Sequence, residues 1–217
     1  MHELLHTLKE TILSPKWYIE MGGLYMILFV VFAETGLFVG FFLPGDSLLF
    51  VAGLFIDDLA REFFNVPYVV IMVMIAIAGI LGNMVGYWFG KKSGPFLYER
   101  QDTFFFKKRH LASAQRFYEK NGAFTVIAAR FVPIIRTFVP IVAGIVKMDY
   151  RKFMIYNIIG SFGWVFTMML TGHLLGTQFP WIKDRIDVIV IMIILVTTLP
   201  VIIKFALGGK QNESSEA

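Results

Sequence analysis

The chain has 217 residues, is 57% hydrophobic and only 17% charged, and contains 23 Phe and a formal charge of +4. A soluble domain of this size cannot hide so much apolar surface, so the composition points to an integral membrane protein with one membrane domain. With no cysteine, disulfides and thiolate metal sites are excluded. Of the four histidines (His2, His6, His110 and His173) only His173 falls in an apolar block, so no metal and no cofactor are expected.

Residues 1–20 place Leu4, Leu5, Leu8 and Ile12 on one helical face, while Glu3 and Glu10 do not suit a secretory leader. An N-terminal interfacial amphipathic helix is expected. Residues 21–207 form the membrane domain. Its first apolar block, 24–56, holds Glu34, Gly36, Gly40, Pro44, Gly45 and Asp46 in ETGLFVGFFLPGDSLLFVAG. A straight helix of that length would run about 50 Å, against a hydrocarbon core of about 30 Å. Pro44-Gly45 is a turn signal, so the block reads as a re-entrant hairpin broken there.

The block 66–90 predicts a transmembrane helix in which Gly82, Gly86 and Gly90 allow close helix packing. Segment 91–121 carries Lys91, Lys92, Arg100, Lys107, Lys108, Arg109, Arg116 and Lys120 against Glu99, Asp102 and Glu119. Between membrane segments such a run marks the cytoplasmic side and meets anionic lipid headgroups, not nucleic acid. Block 122–146 is interrupted by Pro133 and Pro140, which predict a second re-entrant hairpin. Blocks 153–179 and 186–207 read as transmembrane helices, and 208–217 as a disordered tail.

With 91–121 in the cytoplasm, the hairpins enter from opposite faces, the C-terminus is cytoplasmic, and the acidic segment with Asp57, Asp58 and Glu62 lies outside. The side taken by the N-terminus and the oligomeric state stay open. Both hairpins end in Val-Ala-Gly, at 51–53 and 142–144, a faint trace of an inverted repeat. The expected fold is all-α integral membrane: two oppositely oriented re-entrant hairpins plus about three full transmembrane helices, in the inverted-repeat manner of transporters.

An arginine at the bilayer centre costs about 2.5–3.5 kcal/mol on insertion scales, and block 122–146 holds both Arg130 and Arg136. Only block 24–56 offers opposite charges at depth, Glu34 and Asp46. The hairpins are therefore expected to face one another across a polar chamber. Salt bridges that merely staple the hairpins are one explanation, but apolar residues of similar volume pack as well or better. Anion binding is the stronger one, because guanidinium matches phosphate with paired donors and stays charged. The acids would carry protons or compete for the arginines. Asn83, Asn157, Tyr87 and Tyr156 are read as helix-to-helix hydrogen bonding, His173 as a packed or interfacial histidine, and Trp17, Tyr18, Trp88, Trp164 and Trp181 as interface or packing residues.

From about residue 24 to 200 the chain resembles the DedA family, on FAETGLFVGFFLPGDSLLFVAG, GNMVGYWFGKKSG, FYEKNGAFTVIAARFVPIIRTFVPIVAGI and YRKFMIYNIIGSFGW. The resemblance implies a bacterial inner-membrane protein that recycles undecaprenyl phosphate from the outer to the inner leaflet, with proton coupling. Some family members are linked to phosphatidylethanolamine transport, and distant eukaryotic relatives scramble phospholipids. By the same resemblance, the family's acidic pair falls on Glu34 and Asp46 and its arginine pair on Arg130 and Arg136.

The expected function is a lipid-phosphate flippase and not an enzyme: a lipid phosphatase would want a nucleophilic histidine or a metal cluster beside the arginines. The alternatives are a proton-coupled small-cation or drug transporter working through Glu34 and Asp46, a general phospholipid flippase or scramblase, and a purely structural membrane factor.

Overall fold

The computed structural model describes residues 15–37, 45–99 and 133–186. Helix α1 runs Pro15–Gly36, α2 Gly45–Leu54, α3 Ile56–Glu62, α4 Tyr68–Glu99, α5 Pro133–Ile145 and α6 Tyr150–Gln178, and a 3-10 turn covers Pro180–Arg185. No strand occurs among the described residues. Among the described residues, two helices are long and apolar enough to cross a membrane, over Tyr68–Gly94 and Tyr150–Gln178. At 1.5 Å per residue each reaches about 40 Å.

Local chemistry sets the ends. Asp149 caps α6 by accepting a hydrogen bond from the Lys152 backbone N–H at 2.9 Å. Helix α5 closes with Lys147 at φ 53°, the Met148 N–H reaching Ala143 O (2.9 Å) and the Lys147 N–H reaching Gly144 O (3.1 Å). Those two bonds satisfy the last free carbonyls in the manner of a Schellman cap. Gly23, at φ 51° and ψ −137°, breaks the line of α1.

Contacts fix the directions. Tyr68 stacks on His173 with ring centroids 5.7 Å apart, Asn83 bonds Asn157, and Tyr87 stacks on Phe153 at 4.8 Å, so α4 and α6 are antiparallel. Glu34 lies against Gly45, whereas Tyr25 meets Phe63 at 5.8 Å, so α1 runs antiparallel to α2–α3. Helix α2 runs parallel to α6: Asp46 is beside Trp164 and Gly53 beside Met169. Helix α5 runs parallel to α4: Pro140 is beside Gly86 and Ile145 beside Gly94. The two short helices therefore start together in the interior and run to opposite ends. Lys91, Lys92, Lys147, Arg151 and Lys152 gather at one end, and Asp57, Asp58 and Glu62 at the other.

The core is the crossing of α1, α2, α4 and α6, where Ile27, Val31, Leu48, Leu49, Ile71, Ile75, Val165 and Met169 are fully buried. The outer faces of α4 and α6 remain apolar, with Ile77, Leu81, Phe89, Ile155, Ile159 and Leu174 exposed. Polar groups such as Asn83, Asn157 and Ser161 are buried instead. This reversal of the soluble pattern suits a helix pair solvated by lipid.

Several expectations change in detail. Residues 15–20 begin α1, while 1–14 lie outside the described residues. The helix expected at 66–90 runs on to Glu99, so the segment 91–121 begins as helix, its lysine stems able to lie along the apolar surface. The acidic segment after 56 forms the short helix α3. The helix expected at 153–179 begins at Tyr150. Pro140 does not break the chain, and the residues that precede Pro133 lie outside the described residues. Pro133 is the first residue of α5, where a missing N–H is harmless, and α5 continues through Pro140 to Ile145. Block 24–56 is two helices, one ending at Gly36 and one starting at Gly45. Pro44, Arg130, residues 122–132, 187–207 and the tail 208–217 lie outside the described residues.

Candidate functional site

Helix α5 begins three residues before Arg136 and α2 begins one residue before Asp46, so both helix N-termini open onto the same point. Each terminus leaves backbone N–H groups without intrahelical partners and carries a partial positive charge. Glu34 reaches this point from the last turn of α1.

Arg136 is the centre. Its Nη2 donates to Glu34 Oε1 and its Nη1 to Asp46 Oδ1. Arg136 is 6% exposed and Glu34 4%, so the pairing is shielded. In low dielectric, a pair of this kind persists only with close geometry, because each ion loses several kcal/mol of hydration. Trp164 completes the group: its Nε1–H donates to Asp46 Oδ1 at 2.8 Å, and its ring centroid lies 4.4 Å from Arg136 Cζ. That distance is within the range of a cation–π contact. Among the described residues, Glu34 Oε2, Arg136 Nε and Ser161 Oγ are buried without a hydrogen-bond partner.

Gly45 has a specific part in this geometry. A Cβ at position 45 would overlap the Glu34 carboxylate, so only glycine lets the acid sit against the first turn of α2. The Pro44-Gly45 turn signal marks this residue but does not encode its close approach to Glu34.

The structure thus brings together Glu34, Asp46, Gly45 and Arg136. The charges meet directly, and among the described residues no open chamber separates them. Pro140 lies one turn beyond Arg136 and packs on Gly86, and its ring nitrogen leaves the Arg136 carbonyl without the usual helical donor. Arg130 and Pro44 fall outside the described residues.

Asn83 and Asn157 join α4 to α6 by a 2.8 Å hydrogen bond, and Tyr87 donates to Met148 O at 2.6 Å, as expected of groups that tie helices together. His173 stacks on Tyr68 with its Nδ1 3.9 Å from Asp57. Trp164, expected at an interface or in packing, is a packing residue at 2% exposure, and it also touches Asp46 and Arg136, which the sequence does not signal. The sequence shows only that it shares one face of α6 with Asn157 and Ser161, at spacings of four and three.

A VTT domain model matches residues 43–174, more than half of the chain. Protein DedA of Escherichia coli K12 is 43% identical over 181 residues, which cover 83% of this chain and 81% of that protein. The chain belongs to the DedA family. An uncharacterized membrane protein of Mycobacterium tuberculosis H37Rv is 36% identical over 206 residues, covering 92% of this chain and 88% of its own. The inner membrane protein YqjA of Escherichia coli K12 is 28% identical over 201 residues, covering 92% and 86%. No solved structure matches the chain. The VTT match starts just before α2 and ends within α6, so this part of the DedA-family chain supplies Asp46, Arg136 and Trp164, while Glu34 enters from upstream.

Proposed function

We propose that this DedA-family protein is a lipid-phosphate translocase of the bacterial inner membrane. It takes the headgroup of a polyprenyl phosphate, undecaprenyl phosphate foremost, from the outer leaflet and releases it to the inner leaflet without chemical conversion. The observation that carries this is a buried arginine at the point where two half-length helices begin. At 10 and 13 residues, α2 and α5 extend about 15 and 20 Å, roughly half of a hydrocarbon core. Discontinuous helices whose N-termini meet at mid-depth are a known way to hold an anionic group.

In this proposal α1–α2 and the segment ending in α5 are re-entrant hairpins of opposite orientation, and the basic end faces the cytoplasm. Arg136, with Arg130 as the second cation, binds the phosphate while the polyprenyl tail stays in lipid. Glu34 and Asp46 hold the arginine when the site is empty and exchange with phosphate or take up protons to complete the cycle.

The test is transfer of undecaprenyl phosphate between the leaflets of proteoliposomes, with and without a pH gradient. Arg136→Ala is expected to abolish transfer, and Arg136→Lys to leave under about a tenth of it, since an ammonium cannot supply two parallel donors. Full transfer by Arg136→Lys would rule out bidentate recognition. Release of inorganic phosphate from the lipid would point to a phosphatase instead.

A second reading draws on the same charges. Among the described residues two acids surround one arginine, a balance that also suits a proton-coupled carrier of small cations. Uptake of a cationic solute by lipid-substrate-free vesicles, unaffected by Arg136→Ala, would favour it.

A further inference from the structure

Glu34 and Asp46 look like an equivalent pair in the sequence, but their surroundings differ. Asp46 lies in the first turn of α2, where the helix dipole favours a negative charge. Its Oδ1 receives Arg136 Nη1 and Trp164 Nε1–H. Glu34 lies two residues from the C-terminal end of α1, where the dipole disfavours a negative charge. Only Oε1 meets Arg136, and Oε2 is buried against Gly45 with no hydrogen-bond partner among the described residues.

The guanidinium is divided in the same way. Nη1 belongs to Asp46, Nη2 belongs to Glu34, and Nε is unpartnered among the described residues. In a planar guanidinium, Nε–H and one Nη2 N–H are parallel and form one side-on edge for a carboxylate or phosphate. Glu34 takes Nη2, and the Nε–H of that edge has no partner among the described residues.

We propose that an entering phosphate displaces Glu34 and docks on the Nε–Nη2 edge of Arg136, while Asp46, fixed by Trp164, keeps Nη1. This rests on the lipid-phosphate reading and assigns the two acids different tasks within it. Glu34 is the exchangeable partner, and Asp46 is the standing counter-ion. Trp164 is a positioning residue: it holds Asp46 through its N–H and supports the guanidinium through its ring, so Arg136 keeps its aim when Glu34 leaves. The charged groups facing Glu34 among the described residues are Arg136 and Asp46, since α4 presents Gly79 and Gly82 to this region.

The experiment is equilibrium binding of farnesyl phosphate, a short polyprenyl phosphate, to the detergent-solubilised full chain. Glu34→Gln weakens the competitor and is expected to tighten binding about tenfold, the effect of one charge-assisted hydrogen bond. Asp46→Asn is expected to weaken binding, because the guanidinium loses the partner that aims it. Trp164→Phe keeps a ring but removes the N–H, and in that background Asp46→Asn is expected to become tightening. That dependence is one a merely structural tryptophan would not produce. A fluorescence variant with Phe at positions 17, 88 and 181 leaves Trp164 alone, and its emission is expected to shift with the same affinity as binding. Equal tightening by Glu34→Gln and Asp46→Asn, with binding intact, would overturn the inequality of the acids and leave the lipid-phosphate reading standing. Absence of binding by every form would overturn both.

Discussion

The two short helices, α2 and α5, share a seat and differ in what they carry. Each carries Val-Ala-Gly just before its last residue, and each rests backbone-to-backbone on a long helix. A Cβ on Gly53 would overlap Met169 O, and a Cβ on Gly172 would overlap Phe50 O. On the other side, a Cβ on Gly144 would overlap Tyr87 O, and a Cβ on Gly90 would overlap Ile141 O. Each seat is thus made by one glycine from the short helix and one from the long helix. With the tripeptides aligned, Gly45 in α2 corresponds to Arg136 in α5. One helix has no side chain at this position and the other has the largest cation, and Glu34 lies against both. The two helices make the same kind of glycine contact, while the charged chemistry is divided between them.

The strongest way to break this comparison is at the seats. Gly53→Val and Gly144→Val each push a branched side chain into a facing backbone carbonyl, which cannot give way as a flexible side chain would. Both are expected to eliminate monodisperse protein in size-exclusion chromatography after solubilisation. If only one does so, the two seats are not alike. The next largest effect separates seat from site. Gly45→Ala keeps both seats but displaces the Glu34 carboxylate. Transfer of lipid phosphate is expected to fall at least about tenfold, as for losing one charge-assisted contact, with chromatography unchanged. Wild-type transfer by Gly45→Ala would mean that Glu34 need not lie against α2.

Much of this was legible in the sequence. The membrane class, the long helices near 66–90 and 153–179, and the grouping of Glu34 and Asp46 with Arg136 follow from apolar length and from the cost of uncompensated charge at depth. Pro140 is less disruptive than its local chemistry implies. Pro140 marks a turn by local rules, but packing against Gly86 holds α5 through it, and local rules contain no tertiary contacts. The contacts of Trp164 are hidden from the sequence for the complementary reason. A tryptophan in an apolar helix fits lipid, interface and core equally well, and only the approach of Asp46 from a residue 118 positions away separates them.

The smallest expected effect concerns a glycine that is not a seat. Gly163 lies on α6, one residue before Trp164, and a Cβ there would meet nothing within 4 Å. A glycine in a helix interior is about 1 kcal/mol less favourable than alanine. Gly163→Ala is therefore expected to raise thermal stability slightly, by at most about 1 kcal/mol, with lipid transfer unchanged. Gly172→Ala, nine residues along the same helix, changes the same amino acid in the same way but drives a methyl group into Phe50 O. It is expected to lower the melting temperature. The pair holds helix propensity constant and varies only the contact, so opposite signs attribute the seat to close approach. If both substitutions destabilise alike, the glycines of α6 serve helix flexibility, and the correspondence between the α2 and α5 seats loses its physical basis.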